Sequence, residues 1–211
     1  MQRPAYKVHL VALSVLFTLV ACQNLPFQMP QMDKGTATPE EAARLVPPCA
    51  SSIGEDDNFA VQGKRPGRSG WIIIYTSSCP GNSSTGNPFE AVGYTFVDLR
   101  NLKWYAYSSS WAGSPEPLDP AHYVEIGSNS GGGSDATSNF SIVYGRVLTQ
   151  EVATIEVTFE DRHTQRDQPK NGIFAVVTPG VFKACELRLF GPDGNLLHER
   201  DLQPFDQTCL N

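Results

Sequence analysis

The residues able to do acid–base or nucleophilic chemistry are few and scattered. Apart from His9, the histidines are His122, His163 and His198. His122 follows Pro120-Ala121 at the start of a strand-like run, His163 stands in the polar turn Glu160-Asp161-Arg162-His163, and His198 lies beside Glu199. Each reads as a surface side chain. No serine sits in a Gly-x-Ser-x-Gly elbow and no lysine has a serine three places before it, so two common nucleophile signatures are missing. His198-Glu199-Arg200-Asp201-Leu202 lacks the second histidine of a zinc-protease helix, and Gly63-Lys64 lacks the spaced glycine of a phosphate loop. Glu55-Asp56-Asp57-Asn58 is the densest acidic cluster, and hard oxygens suit calcium. Its members are consecutive, so their side chains diverge on an extended chain, and the cluster reads as a solvated loop. No metal and no cofactor are expected.

The aromatic residues are the better sign of a binding surface. Tyr94, Phe96, Trp104, Tyr105, Tyr107, Trp111 and Tyr123 crowd one stretch. On a strand Tyr105 and Tyr107 share one face and Trp104 takes the other. An open face would let Tyr105, Tyr107 and Trp111 stack on sugar rings or anchor a protein partner. Filling a core is the competing role for such residues. Trp111 stands out because Ser108 to Pro120 reads as a Ser/Gly/Pro loop.

Five cysteines remain to be explained, and the first has a distinct setting. Arg3 and Lys7 precede an apolar run, Val8 to Val20, broken by His9, Ser14 and Thr18. Thirteen residues are too few for a stable membrane span, which needs about 20. A basic start and a short apolar run read as an export signal. The run ends in Leu19-Val20-Ala21-Cys22, which resembles the lipobox of bacterial lipoproteins. The resemblance covers the N-terminus only. It implies a diacylglycerol on the Cys22 sulfur, removal of residues 1–21, and acylation of the new amino group. Two or three chains anchor firmly where one is marginal. In such lipoproteins of double-membrane bacteria an Asp after the cysteine favours the inner membrane. Gln23 stands there instead, which implies the outer membrane in such a host, and the cell membrane in a host with one. Cys49, Cys79, Cys185 and Cys209 are then an even set in an exported chain, where thiols pair. The local pairing joins Cys49 to Cys79 and Cys185 to Cys209, each closing a loop of about 25–30 residues, worth roughly 3–4 kcal/mol. Cys49 with Cys209 is the rival connectivity.

The elements that must position these residues follow from pattern. Residues 22–48 read as a lipid-anchored tether ending in a short helix, with Thr38-Pro39-Glu40-Glu41 as its start and Pro47-Pro48 as its stop. From 49 to 211 period two dominates. Trp71 to Thr76, Val92 to Val97, Lys103 to Tyr107, Tyr123 to Ile126, Asn139 to Val147, Thr154 to Phe159, Ile173 to Val177, Cys185 to Leu189 and Asn195 to Glu199 read as strands. Ile155, Val157 and Phe159 face inward, and Ile173 to Val177 is apolar throughout, as a strand buried on both faces requires. Gly127 to Ser138 reads as a flexible loop. Many short strands between Gly, Pro, Asn and Ser predict one all-β domain, an antiparallel β-sandwich. Tyr144 to Asp201 resembles an immunoglobulin-like half-sheet and is similar to tails of bacterial surface proteins, a likeness that names no activity.

Composition limits the partners. The chain has 211 residues and a net charge of −6. Residues 1–21 carry two cations and no acid, so the remainder stands at −8. An acidic body disfavours nucleic acid, whose binding needs clustered Lys and Arg. By the same average it disfavours electrostatic docking to anionic lipid. The expected protein is a non-enzymatic, lipid-anchored, extracytoplasmic binding or assembly module. Its partners are the membrane through Cys22 and a glycan, peptide or envelope protein. An envelope hydrolase assembled from dispersed residues such as Asp56, Asp57 and His122 is one alternative. A purely structural envelope component is the other. Cys22→Ala releases the protein from cell membranes in fractionation; an unmodified Cys22 in the mass of the native product would contradict the anchor.

Overall fold

The computed structural model describes residues 34–46, 58–80, 88–114, 116, 119–132, 138–203 and 209. The signal segment, Cys22, Cys49 and the Glu55-Asp56-Asp57 run lie outside them.

The first element among the described residues is the helix α1 (Pro39–Arg44), and its capping is the one its sequence predicts. The Glu41 N–H donates to Thr38 Oγ1 at 3.2 Å, and the Thr38 N–H donates to Glu41 Oε2 at 3.2 Å. Eleven strands follow, all pairing antiparallel: β1 (Ala60–Pro66), β2 (Gly70–Cys79), β3 (Phe89–Arg100), β4 (Lys103–Ala112), β5 (Val124–Gly131), β6 (Phe140–Val147), β7 (Thr154–Phe159), β8 (Thr164–Asp167), β9 (Ile173–Pro179), β10 (Ala184–Phe190) and β11 (Leu196–Asp201). They form three sheets: β1-β2-β3-β4, β5-β6-β9 and β11-β10-β7-β8. The all-β sandwich expected from the sequence is present, with an additional layer.

Three cores define the stacking. Ala42, Ala43 and Val46 of the helical segment pack on Ile73, Tyr75, Val97 and Ala106 of the first sheet. The opposite face of that sheet, with Ile72, Ile74, Val92, Tyr94 and Phe96, meets Phe140, Ile142, Tyr144 and Ala175 of the second. The second sheet's other face, with Val143, Phe174 and Val176, meets Ile155, Val157, Phe159, Leu187 and Leu189 of the third. The order is therefore helix, first sheet, second sheet, third sheet. β9 is enclosed on both sides, which accounts for its unbroken apolar run.

Two close approaches let bulky tyrosines lie flat across the strands. Tyr75 is registered opposite Gly93, and a Cβ on Gly93 would lie 2.6 Å from the Tyr75 ring. Tyr144 is registered opposite Gly127, and a Cβ there would lie 2.7 Å from its ring. Neither position admits a side chain while the ring stays. Tyr94 completes the group, 5.3 Å from Tyr144 in an edge-to-face pair.

Four regions differ from the sequence expectation. Ser108 to Ala112 is strand, not loop, because its residues pair with Val92 to Phe96. Gly127 to Gly131 likewise extends β5 against Phe140 to Tyr144. Residues 133–137 of the expected Gly127–Ser138 loop lie outside the described residues. β1 and β8 were not expected as strands: β8, Thr-Gln-Arg-Asp, has no apolar residue, and β1 has few. The Cys185–Cys209 pairing is present, with Cα atoms 5.2 Å apart. Cys79 is also disulfide-bonded, to a cysteine outside the described residues.

Burial raises the ionisation of Tyr75, Tyr94 and Tyr144 above the usual phenol range. The Tyr144 hydroxyl donates to Ser110 Oγ at 3.1 Å, that of Tyr75 lies beside Thr95, and that of Tyr94 has no hydrogen-bond partner among the described residues. A phenol that ionises only when unfolded makes the unfolded state bind fewer protons, so stability falls as pH climbs past the ordinary tyrosine value. In a titration followed at 295 nm these three rings stay protonated until the chain unfolds, then ionise together; gradual, independent ionisation would contradict their enclosure.

Candidate functional site

Most aromatic candidates do not meet on one surface. Phe96 pairs with Ser108 and Val97 with Ala106, so Tyr107 is the extra residue of a bulge. Its ring packs against the core between the first and second sheets, with the Arg100 guanidinium 4.6 Å above it. Tyr105 lies over Gly35, whose Cβ position is 2.7 Å from its ring. Trp111 is opposite Gly93, on the face that α1 covers, with its ring 6.0 Å from that of Phe89 and 41% of its surface exposed. Tyr105 and Tyr107 are thus near one end of β4 and Trp111 near the other.

The histidines are equally dispersed. His122 closes a 3-10 turn (Pro120–His122), and the His198 ring stacks 5.6 Å from Tyr123. His163 is not a free surface side chain. It stacks on Phe159 at 4.7 Å, its Nε2 is 2.9 Å from Thr178 Oγ1, and its Nδ1 is in contact with Asp161 Oδ1. Partial desolvation pushes the Asp161 carboxyl up, and the hydrogen bonds and charge of His163 outweigh it, holding the group below its usual range. Among the described residues no three His, Cys, Asp or Glu side chains converge as a metal site.

A cleft of about 360 Å³ opens among the described residues. Three strand edges bound it: β1 with its turn (Arg65 to Arg68), β8 (Gln165 to Asp167) and β9 (Ala175 to Val177, with Pro179). All three strands are last in their sheets. In β9 the even-numbered residues turn their backbone groups to β6, as the Gly180 N–H to Asn139 carbonyl bond fixes, and the odd-numbered ones turn theirs outward.

Those outward groups are mostly occupied. Ile173 exchanges backbone hydrogen bonds with Lys170 at 2.8 and 2.9 Å. The Ala175 N–H donates to Asp167 Oδ2 at 2.8 Å, and Arg65 Nε donates to the Ala175 carbonyl at 3.4 Å. Arg65 Nη2 also donates to both Asp167 oxygens, at 3.0 and 2.8 Å. One guanidinium and one carboxylate thus join the edges of all three sheets. Pro179 has no N–H to offer. Val177 is left: its N–H and carbonyl face the cleft without a partner among the described residues. Around it stand Phe140, Pro66 and Pro179 as apolar walls, with Asn139 and Gln165 as polar ones. Arg68 is exposed and unpaired among the described residues, whereas Arg166 donates to Glu156 at 2.5 Å.

Sequence reasoning passed over these residues. Of this stretch only Gly63-Lys64 was considered, as a phosphate loop, and Arg65-Pro66-Gly67-Arg68 was not. The usable signal was a basic run interrupted by proline, which marks an edge strand. A scan against protein-family models finds no match, and searches of curated proteins and of solved structures find none either.

The Arg65–Asp167 pair is partly enclosed, with 27% and 17% of the two side chains exposed. Arg65→Ala strands the carboxylate and costs about 1–3 kcal/mol in urea unfolding. Adding Asp167→Ala to it restores part of that loss. Equal, additive losses would mean the two side chains act separately.

Proposed function

We propose that this protein is a lipid-anchored envelope lipoprotein whose β body binds an extended acidic peptide segment in the cleft between β1, β8 and β9, without catalysis. The carrying observation is the unpaired backbone of Val177 on a sheet edge where Ile173 and Ala175 are occupied and Pro179 has no N–H to offer. An incoming strand pairs there through one N–H and one carbonyl, the mode of strand addition. Phe140, Pro66 and Pro179 give its side chains apolar contact, and Arg68 offers the nearest unpaired cation for a carboxylate. Lipid on Cys22 concentrates the module at the membrane face, where envelope proteins with extended segments are close at hand. The strand order β5-β6-β9 facing β11-β10-β7-β8 supports reading the C-terminal part as immunoglobulin-like.

The probe is a pool of fluorescent random peptides holding one fixed aspartate, compared with a pool holding lysine there. The aspartate pool binds and the lysine pool does not. Val177→Pro removes the donor at an edge position that tolerates proline, and abolishes binding with the fold retained. Arg68→Glu weakens binding about tenfold, the scale of one charge-assisted hydrogen bond. Equal binding of both pools, or indifference to Val177→Pro, would sink the reading.

A further inference from the structure

One end of the molecule carries a display that meets the cleft only at Gly67 and Arg68. The β1–β2 and β3–β4 turns close there, at Gly67–Gly70 and Asn101–Leu102. Leu102 is 91% exposed, Leu99 48% and Trp71 38%. Trp71 is registered against Val97 and Leu99 against Trp104, so both project from the face that α1 covers further along. Leu102 is the least expected of the three. It has φ 62, after Asn101 at φ 48. Such a two-residue turn favours Asn followed by Gly. A leucine there strains the backbone and leaves its side chain in water, and its exposure shows that almost nothing inside the protein touches it.

The same end is basic. Arg68, Arg100 and Lys103 lie on it, all exposed, and Lys34 is exposed two residues before Thr36. The acid among them, Asp98, is buried and stands 3.8 Å from Arg100. Lys34, Arg68 and Lys103 pair with no carboxylate among the described residues. In a chain of net charge −6 this is a local reversal of sign. The N-terminal chain also joins the fold here. Thr36 exchanges two backbone hydrogen bonds with Trp104, at 2.9 and 3.0 Å, and Trp104 is the residue registered against Leu99. Only eleven residues lie between Cys22 and Lys34, a length that spans at most about 40 Å.

We infer that this tip, Trp71, Leu99 and Leu102 ringed by Arg68, Arg100 and Lys103, docks on the anionic lipid surface that carries the protein's own anchor. The inference rests on the lipid anchor proposed above. Leucine and tryptophan enter the headgroup boundary shallowly, and the cations face its negative potential. Docking fixes the orientation of a body that the tether alone would leave free to turn. It holds the β3–β4 turn down, so Trp111, at the far end of β4, stands off the membrane.

The test uses the processed, lipidated chain on vesicles of phosphatidylethanolamine and phosphatidylglycerol containing lipids brominated just below the headgroup. Two of the chain's three tryptophans, Trp71 and Trp104, flank the tip, and Trp111 is the internal control. Tryptophan fluorescence is quenched, Trp71→Phe removes at least about half of the quenching, and Trp111→Phe leaves it intact. Leu102→Gly relieves the positive φ, so it raises Tm while lowering the quenching at least twofold; docking and folding thus move in opposite directions. Phosphatidylcholine vesicles, or high salt, reduce the quenching although the protein stays bound through its lipid. Quenching that is absent on vesicle-bound protein, or unmoved by Leu102→Gly and by lipid charge, overturns the tip. Should Cys22 prove unmodified, the anchor fails by itself. The same chain titrated with the anionic vesicles then decides the tip: quenching sensitive to Leu102→Gly supports it, and none overturns it.

Discussion

The second sheet has no face open to water, and much of the remaining architecture answers that constraint. Its two faces are cores, one shared with the first sheet and one with the third. A sheet enclosed on both sides still has edges, and the edge of β9 runs between the edges of β1 and β8. A backbone group there is poorly placed to reach water and must find a partner in the protein. Asp167 and Arg65 serve Ala175, and Lys170 serves Ile173. The ion pair is best understood as a lock on the stack. Each charge is held by hydrogen bonds from two strands, so the geometry compensates the desolvation that makes such pairs marginal elsewhere. The same constraint leaves Val177 as a gap in an otherwise closed edge.

Filling the interior took large aromatic rings, and the rings required missing side chains opposite them. Tyr75 on Gly93 and Tyr144 on Gly127 are the same solution used twice, once in the core under the helix and once in the core between the first two sheets. The hydroxyls have mixed fortunes. Tyr144 reaches Ser110 and Tyr75 lies beside Thr95, while that of Tyr94 is enclosed without a partner among the described residues. Such a group costs about 1–3 kcal/mol.

Strands whose side chains enter a core were legible in the sequence. Thr154–Phe159 has the limits that its alternation predicts, and Ile173 onward is apolar because both its faces are covered. The helix was legible to its capping residues, because capping is a local interaction. β8 and β1 were not, because edge strands bury little and carry no hydrophobic period. The serines of β4 and the glycines of β5 looked like loop for a similar reason: their neighbours do the packing. Of the candidate site, only the fragments could be seen. Arg65 and Asp167 are 102 positions apart, and nothing local announces that three sheet edges converge on them. His163 was misplaced on the surface because its partners, Phe182 and Thr178, come from a different strand connection.

Net charge is an average, and the average misleads where charges segregate. The sequence argument against anionic surfaces used the whole acidic body. The fold separates that body into regions. On the outer face of the third sheet, Glu156, Glu186 and Glu199 are met by Arg166 and Arg188, which neutralise each other's surroundings. Arg65 is committed to Asp167 and Arg146 to Glu90 and Glu125. Arg68 and Lys103, at the β1–β2 and β3–β4 turns, have no such partner among the described residues. Charges separated by more than about 10 Å are largely screened at moderate salt, so a nearby surface responds to the local group and not to the total. An acidic protein can therefore present a cationic end, and in this fold that end is also where Leu102 is held out in a conformation that leucine disfavours.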